Sequence, residues 1–155
     1  MAHGTATRRN PLQQRPHPLQ PPQVHPPRAV LDLCALPSAP SRARAWTRQV
    51  LREWQSSVLS DTAELVVSEL TTNAMLASRC LGRPFIRLTL TLDHRELAIA
   101  VHDYCRGSVP EPGNAGEDDE NGRGLLLVEA VSSRSGWYPF EDGTPGKVVW
   151  AVLSS

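Results

Sequence analysis

The hydrophobic period changes once in mid-chain, and that change constrains the fold more than any other feature. Over 61–79, Ala63, Val66, Val67, Leu70, Ala74 and Ala77 recur at helical spacing and form one apolar stripe. Asp61 followed three residues later by Glu64 has the form of an N-terminal capping box. Gly82 and Arg83-Pro84 then break the pattern. Beyond them Ile86, Leu88, Leu90 and Leu92 alternate with Arg87, Thr89 and Thr91, as in a half-buried strand. Asp93-His94-Arg95 reads as a turn, and Leu97, Ile99 and Val101 carry the alternation onto a second strand.

The flanking stretches extend this plan. Residues 1–28 hold many Pro, Gln, His and Arg and almost no large apolar side chains. Such a segment cannot bury enough surface to offset its ordering entropy, so a disordered arm is expected there and one domain over 29–155. Residues 29–34 form a short apolar run suited to an edge strand. After Pro37 and Pro40, residues 41–55 place Ala43, Trp46, Val50, Leu51 and Trp54 at helical intervals, with both tryptophans read as core. Residues 105–121 are rich in Pro, Gly, Asp and Glu, a long loop of the kind that forms lids. A helix is expected from Leu125, short strands at 137–140 and 148–153, and a turn between them. Helices on one face of a mostly antiparallel sheet make an α+β fold, a two-layer α/β sandwich.

The totals exclude several classes. Sixteen basic and sixteen acidic side chains cancel, so nothing draws the chain as a whole to nucleic acid. No stretch approaches the length of apolar sequence that spans a membrane, and the N-terminus lacks the apolar middle of a signal peptide. Cys34, Cys80 and Cys105 are odd in number and lack metal-site spacing, as expected of reduced thiols in the cytoplasm.

Three places carry candidate chemistry. Glu69 and Asn73 lie four apart, one above the other on a flank of the helical stripe. An amide oxygen there can ligate a hard cation, and a carboxylate can take a proton from an attacking hydroxyl or water; both could equally be water-facing residues at the edge of the core. Asp103 arrives where the second strand's alternation asks for an apolar side chain, which is costly without a partner. It is either a turn residue at the strand end or an acceptor for an exocyclic amine such as that of adenine. Gly122-Arg123-Gly124 ahead of a helix would expose backbone N–H groups to an anion, although a tight turn explains the glycines as well.

Taken together, four blocks in order resemble the histidine-kinase-like ATPases of the GHKL, or Bergerat, fold. Within that family they look most like the short actinobacterial ATP-binding regulatory proteins and the anti-sigma-factor serine/threonine kinases. The blocks are Glu64-Leu65-Val66-Val67-Ser68-Glu69-Leu70-Thr71-Thr72-Asn73-Ala74, Val101-His102-Asp103-Tyr104-Cys105-Arg106-Gly107, Gly122-Arg123-Gly124-Leu125-Leu126-Leu127-Val128 and Gly146-Lys147-Val148-Val149-Trp150-Ala151. The resemblance implies that Asn73 ligates Mg²⁺ and that Glu69 is the general base or orients the nucleophile. It implies that Asp103 accepts from the adenine amine, that Gly107 lines a lid hinge, and that Gly122, Arg123, Gly124 and Leu125 hold the phosphates. The implied activity is transfer of the ATP γ-phosphate to a serine of a partner protein such as an anti-sigma-factor antagonist; a sigma factor is the other implied partner, and homodimer formation is left open. The rival is a non-catalytic module that sequesters such a regulator.

The chain departs from the family pattern twice. Cys105 replaces a glycine, and Val148 replaces a threonine expected to hydrogen-bond toward the adenine pocket. A phosphate-loop ATPase is disfavoured because Val148, not Ser or Thr, follows Gly146-Lys147. A dinucleotide-binding fold is disfavoured because an acidic loop, not a strand, precedes Gly122. No dimerisation helix with a phosphoacceptor histidine is expected ahead of the domain, which points to an acceptor serine on another protein.

Overall fold

The structure is a computed structural model that describes residues 25–79, 85–104 and 120–155. The predicted arm and the predicted lid fall largely outside these residues. The elements are β1 (Arg28–Cys34), α1 (Ala39–Glu53), α2 (Ser60–Arg79), β2 (Phe85–Asp93), β3 (Glu96–Asp103), α3 (Glu120–Val131), β4 (Arg134–Pro139) and β5 (Lys147–Ser154). The five strands form one sheet in the order β1-β2-β3-β5-β4, with every neighbouring pair antiparallel. The three helices and this sheet make the expected α+β sandwich.

The core follows from the two periods. On α2, Ala63, Val66, Val67, Leu70 and Ala74 are buried, and so are Ile86, Leu88, Leu90, Leu97, Ile99 and Val101 on β2 and β3. Leu33 of β1, Leu51 of α1 and Leu153 of β5 join the same cluster, with Trp46 and Trp54 packed partly buried against it. Burying a Leu or Val side chain contributes about 1.5–3 kcal/mol, so this one cluster holds the helices on the sheet.

Local starts and stops differ from the sequence reading at all three helices, and β4 begins at Arg134 instead of Trp137. α1 begins at Ala39, with Pro40 inside its first turn rather than ahead of it. Proline is tolerated there because the first helical N–H groups have no intrahelical acceptor. The helix then stops where Gln55 takes a positive φ of 55°. α2 needs no capping box at Asp61, because it starts at Ser60 directly out of a 3-10 turn over Ser57–Leu59. Glu64 instead accepts a 2.8 Å bond from Arg48 Nε and ties α2 to α1. α3 starts at Glu120, so Gly122, Arg123 and Gly124 lie within its first turns instead of in a turn before it.

The second face of the sheet is more polar. Asp32 and Arg87 face each other across β1 and β2 in a two-pronged pair, at 2.7 and 2.9 Å. Both are exposed, and such pairs contribute little. His102 lies nearby, its ring centroid 5.9 Å from that of Phe140. Burial holds its pKa below the ordinary imidazole value, with Arg87 and Arg28 adding to the effect and Asp32 opposing it. The unfolded chain therefore takes up this proton first as pH falls, and stability should decline as pH drops through about 6.5. Urea midpoints at about pH 7.5 and about pH 5.5 should show a smaller acid-side loss in His102→Gln than in the parent. An unchanged loss would place the acid sensitivity elsewhere.

Candidate active site

The structure brings the first glycine-flanked helix end against the middle of α2. Gly124 is buried, and a Cβ built on it would overlap the Glu69 carboxylate, whose Cδ would lie 3.3 Å away. A Cβ there would push the flexible end of Glu69 aside, so the glycine leaves that carboxylate room to rest against α3. Gly122 and Arg123 are among the first four residues of α3, whose N–H groups have no acceptor within the helix. The carboxylate of Glu69 and an anion-favouring helix start thus share one corner of the molecule. Arg123 is exposed, whereas Leu125 is partly buried and packs on the core, so its side chain serves packing.

Asn73 sits one turn beyond Glu69 and is partly buried. Its Nδ2 is buried and has no hydrogen-bond partner among the described residues. Leaving a buried amide unsatisfied costs about 1–3 kcal/mol, so this donor needs a partner beyond the described residues, whether elsewhere in the chain, in water or in a bound group. A half-turn of the amide exchanges nitrogen for oxygen. Asn73 and Glu69 therefore fit a Mg²⁺-phosphate group by donor chemistry. No cluster of three or more His, Cys, Asp or Glu that could hold a metal by itself occurs among the described residues.

Asp103, the third candidate, stands at a strand end. It is the last residue of β3, 1% exposed, and its carboxylate lies 2.9 Å from Lys147 Nζ. Asp103 and Lys147 are cross-strand partners in the β3–β5 register. Alternation puts them on the face carrying Val101, Ile99, Val149 and Ala151, which is the core face. Gly146, immediately before Lys147, has a φ of +142° and runs against the backbone oxygen of Asp103 and the ring of Phe140. That conformation and that crowding both require a glycine.

Sequence reading assigned no role to Lys147. The signal was present, since Lys147 breaks the alternation of β5 at the same end of the sheet where Asp103 breaks that of β3. It became informative only once β3 and β5 were known to be neighbours. Val148 pairs with His102, on the opposite face from Asp103. The loss of a threonine at Val148 therefore does not remove a group from the side where Asp103 lies. Gly107 and Cys105 lie outside the described residues, so the predicted lid hinge and the glycine-to-cysteine departure find no counterpart there.

The family model of the histidine kinase-like ATPase domain matches residues 34–153. The chain belongs to that family, and it is a histidine kinase-like ATP-binding domain. None of the curated proteins matches it. Among the described residues, no helix is long and apolar enough to cross a membrane.

Proposed function

We propose that this domain binds Mg-ATP and transfers the γ-phosphate to a serine or threonine hydroxyl of a partner protein. The observation that carries the reading is the Glu69 carboxylate lying against Gly124 at the start of α3, with the unsatisfied Asn73 amide one turn away. Glu69 would take the proton of the incoming hydroxyl as its oxygen bonds to the γ-phosphorus and the bond to ADP breaks. Asn73 would hold the metal, whose contribution when bound is to neutralise phosphate charge. Gly122 and Arg123 would face the phosphates with backbone N–H groups, Gly124 and Leu125 would line that helix start, and Asp103 would accept from the exocyclic amine of adenine. Gly107 would serve as a hinge beside the nucleotide. The partner of such a kinase would be an anti-sigma-factor antagonist or a sigma factor in the cytoplasm, with the domain acting alone or as a homodimer. The arm, 1–28, would stand apart from the domain, 29–155.

A second reading is a module that sequesters a sigma factor without turnover. It is favoured by the Asp103–Lys147 pair, since the acceptor proposed for adenine already holds an ammonium group. Titration with a fluorescent ATP analogue, with and without Mg²⁺, tests the nucleotide step common to the kinase. Saturable binding that tightens with Mg²⁺ is expected. Absence of saturable binding would leave only the sequestering module.

A further inference from the structure

Lys147 is the only lysine in the chain; the other fifteen Lys-plus-Arg positions are arginines. This one ammonium is not on the surface. It is 7% exposed, sits where the core face of β5 calls for an apolar side chain, and lies 2.9 Å from a carboxylate that is itself 1% exposed. Its placement is built in. The positive φ of Gly146 and the missing Cβ bring the chain against the Asp103 backbone, and the next residue enters β5 directly opposite Asp103. A buried charge pair is weak as a source of stability, because desolvation offsets most of the attraction. Specificity is the better physical reason for one.

We infer that Lys147 is a positioning residue that sets the base preference of the nucleotide site, resting on the reading that Asp103 meets adenine. An ionised carboxylate is an acceptor only. Held in place by the ammonium 2.9 Å away, Asp103 receives the exocyclic amine of adenine. It refuses the carbonyl oxygen that guanine presents at the same ring position, because two acceptors would face each other. Without the ammonium's charge-assisted bond, the buried carboxylate loses the contact that fixes its orientation and draws in water. A carboxylate no longer held in one orientation presents its acceptor edge to the base less well, so the advantage of an amine over a carbonyl falls.

A compact ammonium on a flexible stem suits this task better than a planar guanidinium, because its stem can bend when the base arrives. The lysine would remain on Asp103 while the amine of the base adds a second charge-assisted bond. A hydrogen bond to a charged group corresponds to about 10–100-fold in affinity.

Two measurements test this. In the parent chain, the single Nζ signal of ¹⁵N-labelled lysine should shift on addition of ATP and should not shift on addition of GTP. In Lys147→Gln, the ratio of ATP to GTP affinity should fall by about 10-fold or more, and Lys147→Arg, which keeps the charge, should retain more of it. If Lys147→Gln does not fold, the NMR measurement on the parent decides alone. Saturable ATP binding with an unmoved Nζ signal overturns the inference and leaves the nucleotide site standing. A folded Lys147→Gln with the parent's base preference overturns it likewise. A parent that binds no adenine nucleotide overturns the function reading and this inference together.

Discussion

Replacing Glu69 by alanine should lower phosphate transfer to a serine acceptor by about 10² to 10⁴-fold while leaving ATP binding close to that of the parent. The asymmetry follows from when the carboxylate acts. Glu69 takes the hydroxyl proton as the new bond forms, so its contribution appears mainly in the transition state. Its neighbour should behave differently. Asn73→Ala should lose transfer and also the Mg²⁺-dependent part of ATP affinity, because the amide is proposed to hold the metal in the ground state as well. Structural collapse would not explain either result. Both residues are only partly buried, and the apolar stripe beside them is untouched. The assay is transfer of labelled phosphate to a candidate anti-sigma-factor antagonist, run beside the fluorescent-nucleotide titration. Equal loss of binding and transfer in Glu69→Ala would remove the general-base role. A parent that transfers no phosphate yet binds a sigma factor would favour the sequestering module.

The second large effect concerns stability. Asp103→Ala should destabilise the domain by about 3–5 kcal/mol, because it strands the Lys147 ammonium in the core face without its counter-charge. Domains of this size are stable by about 5–15 kcal/mol in total, so the variant would stand close to its unfolding limit. Asp103→Leu combined with Lys147→Met should recover most of that loss, since two apolar side chains carry no desolvation cost. Denaturant midpoints of the parent, Asp103→Leu, Lys147→Met and the double variant form a cycle that isolates the coupling. Losses that simply add would mean that the 2.9 Å pair contributes no mutual compensation. The same cycle explains why base preference is better tested at Lys147 with glutamine than with an apolar residue. The amide keeps a donor facing the carboxylate.

Much of the fold was legible without coordinates because its signals are local. The stripe on α2 and the alternation on β2 and β3 each report which side chains must leave water, and burial at Leu70, Leu88 and Ile99 follows. Boundaries were less legible where a neighbouring element completes the backbone's needs. Pro40 joined α1 because the first helical turn does not use its missing N–H, and α2 drew its start from a 3-10 turn rather than from Asp61. α3 ran five residues ahead of Leu125, through the glycines. The misfit of Asp103 was visible as a broken alternation, and its burial is that misfit made physical.

By itself, then, the amino-acid order determined the helices, the strands, the inward face of each and the residue types available for phosphate chemistry. Only the tertiary structure decided which of them meet. Glu69 and Gly124 touch because α3 returns to α2, and no periodicity within either segment encodes that approach. Asp103 and Lys147 pair because β5 lies beside β3 in an antiparallel register with Gly146 crowded against the strand end. Electrostatic partnership depends on distance in space, falling off with separation and shielded by water. A charge that looks like a misfit in each strand alone becomes, across two neighbouring strands, a buried pair.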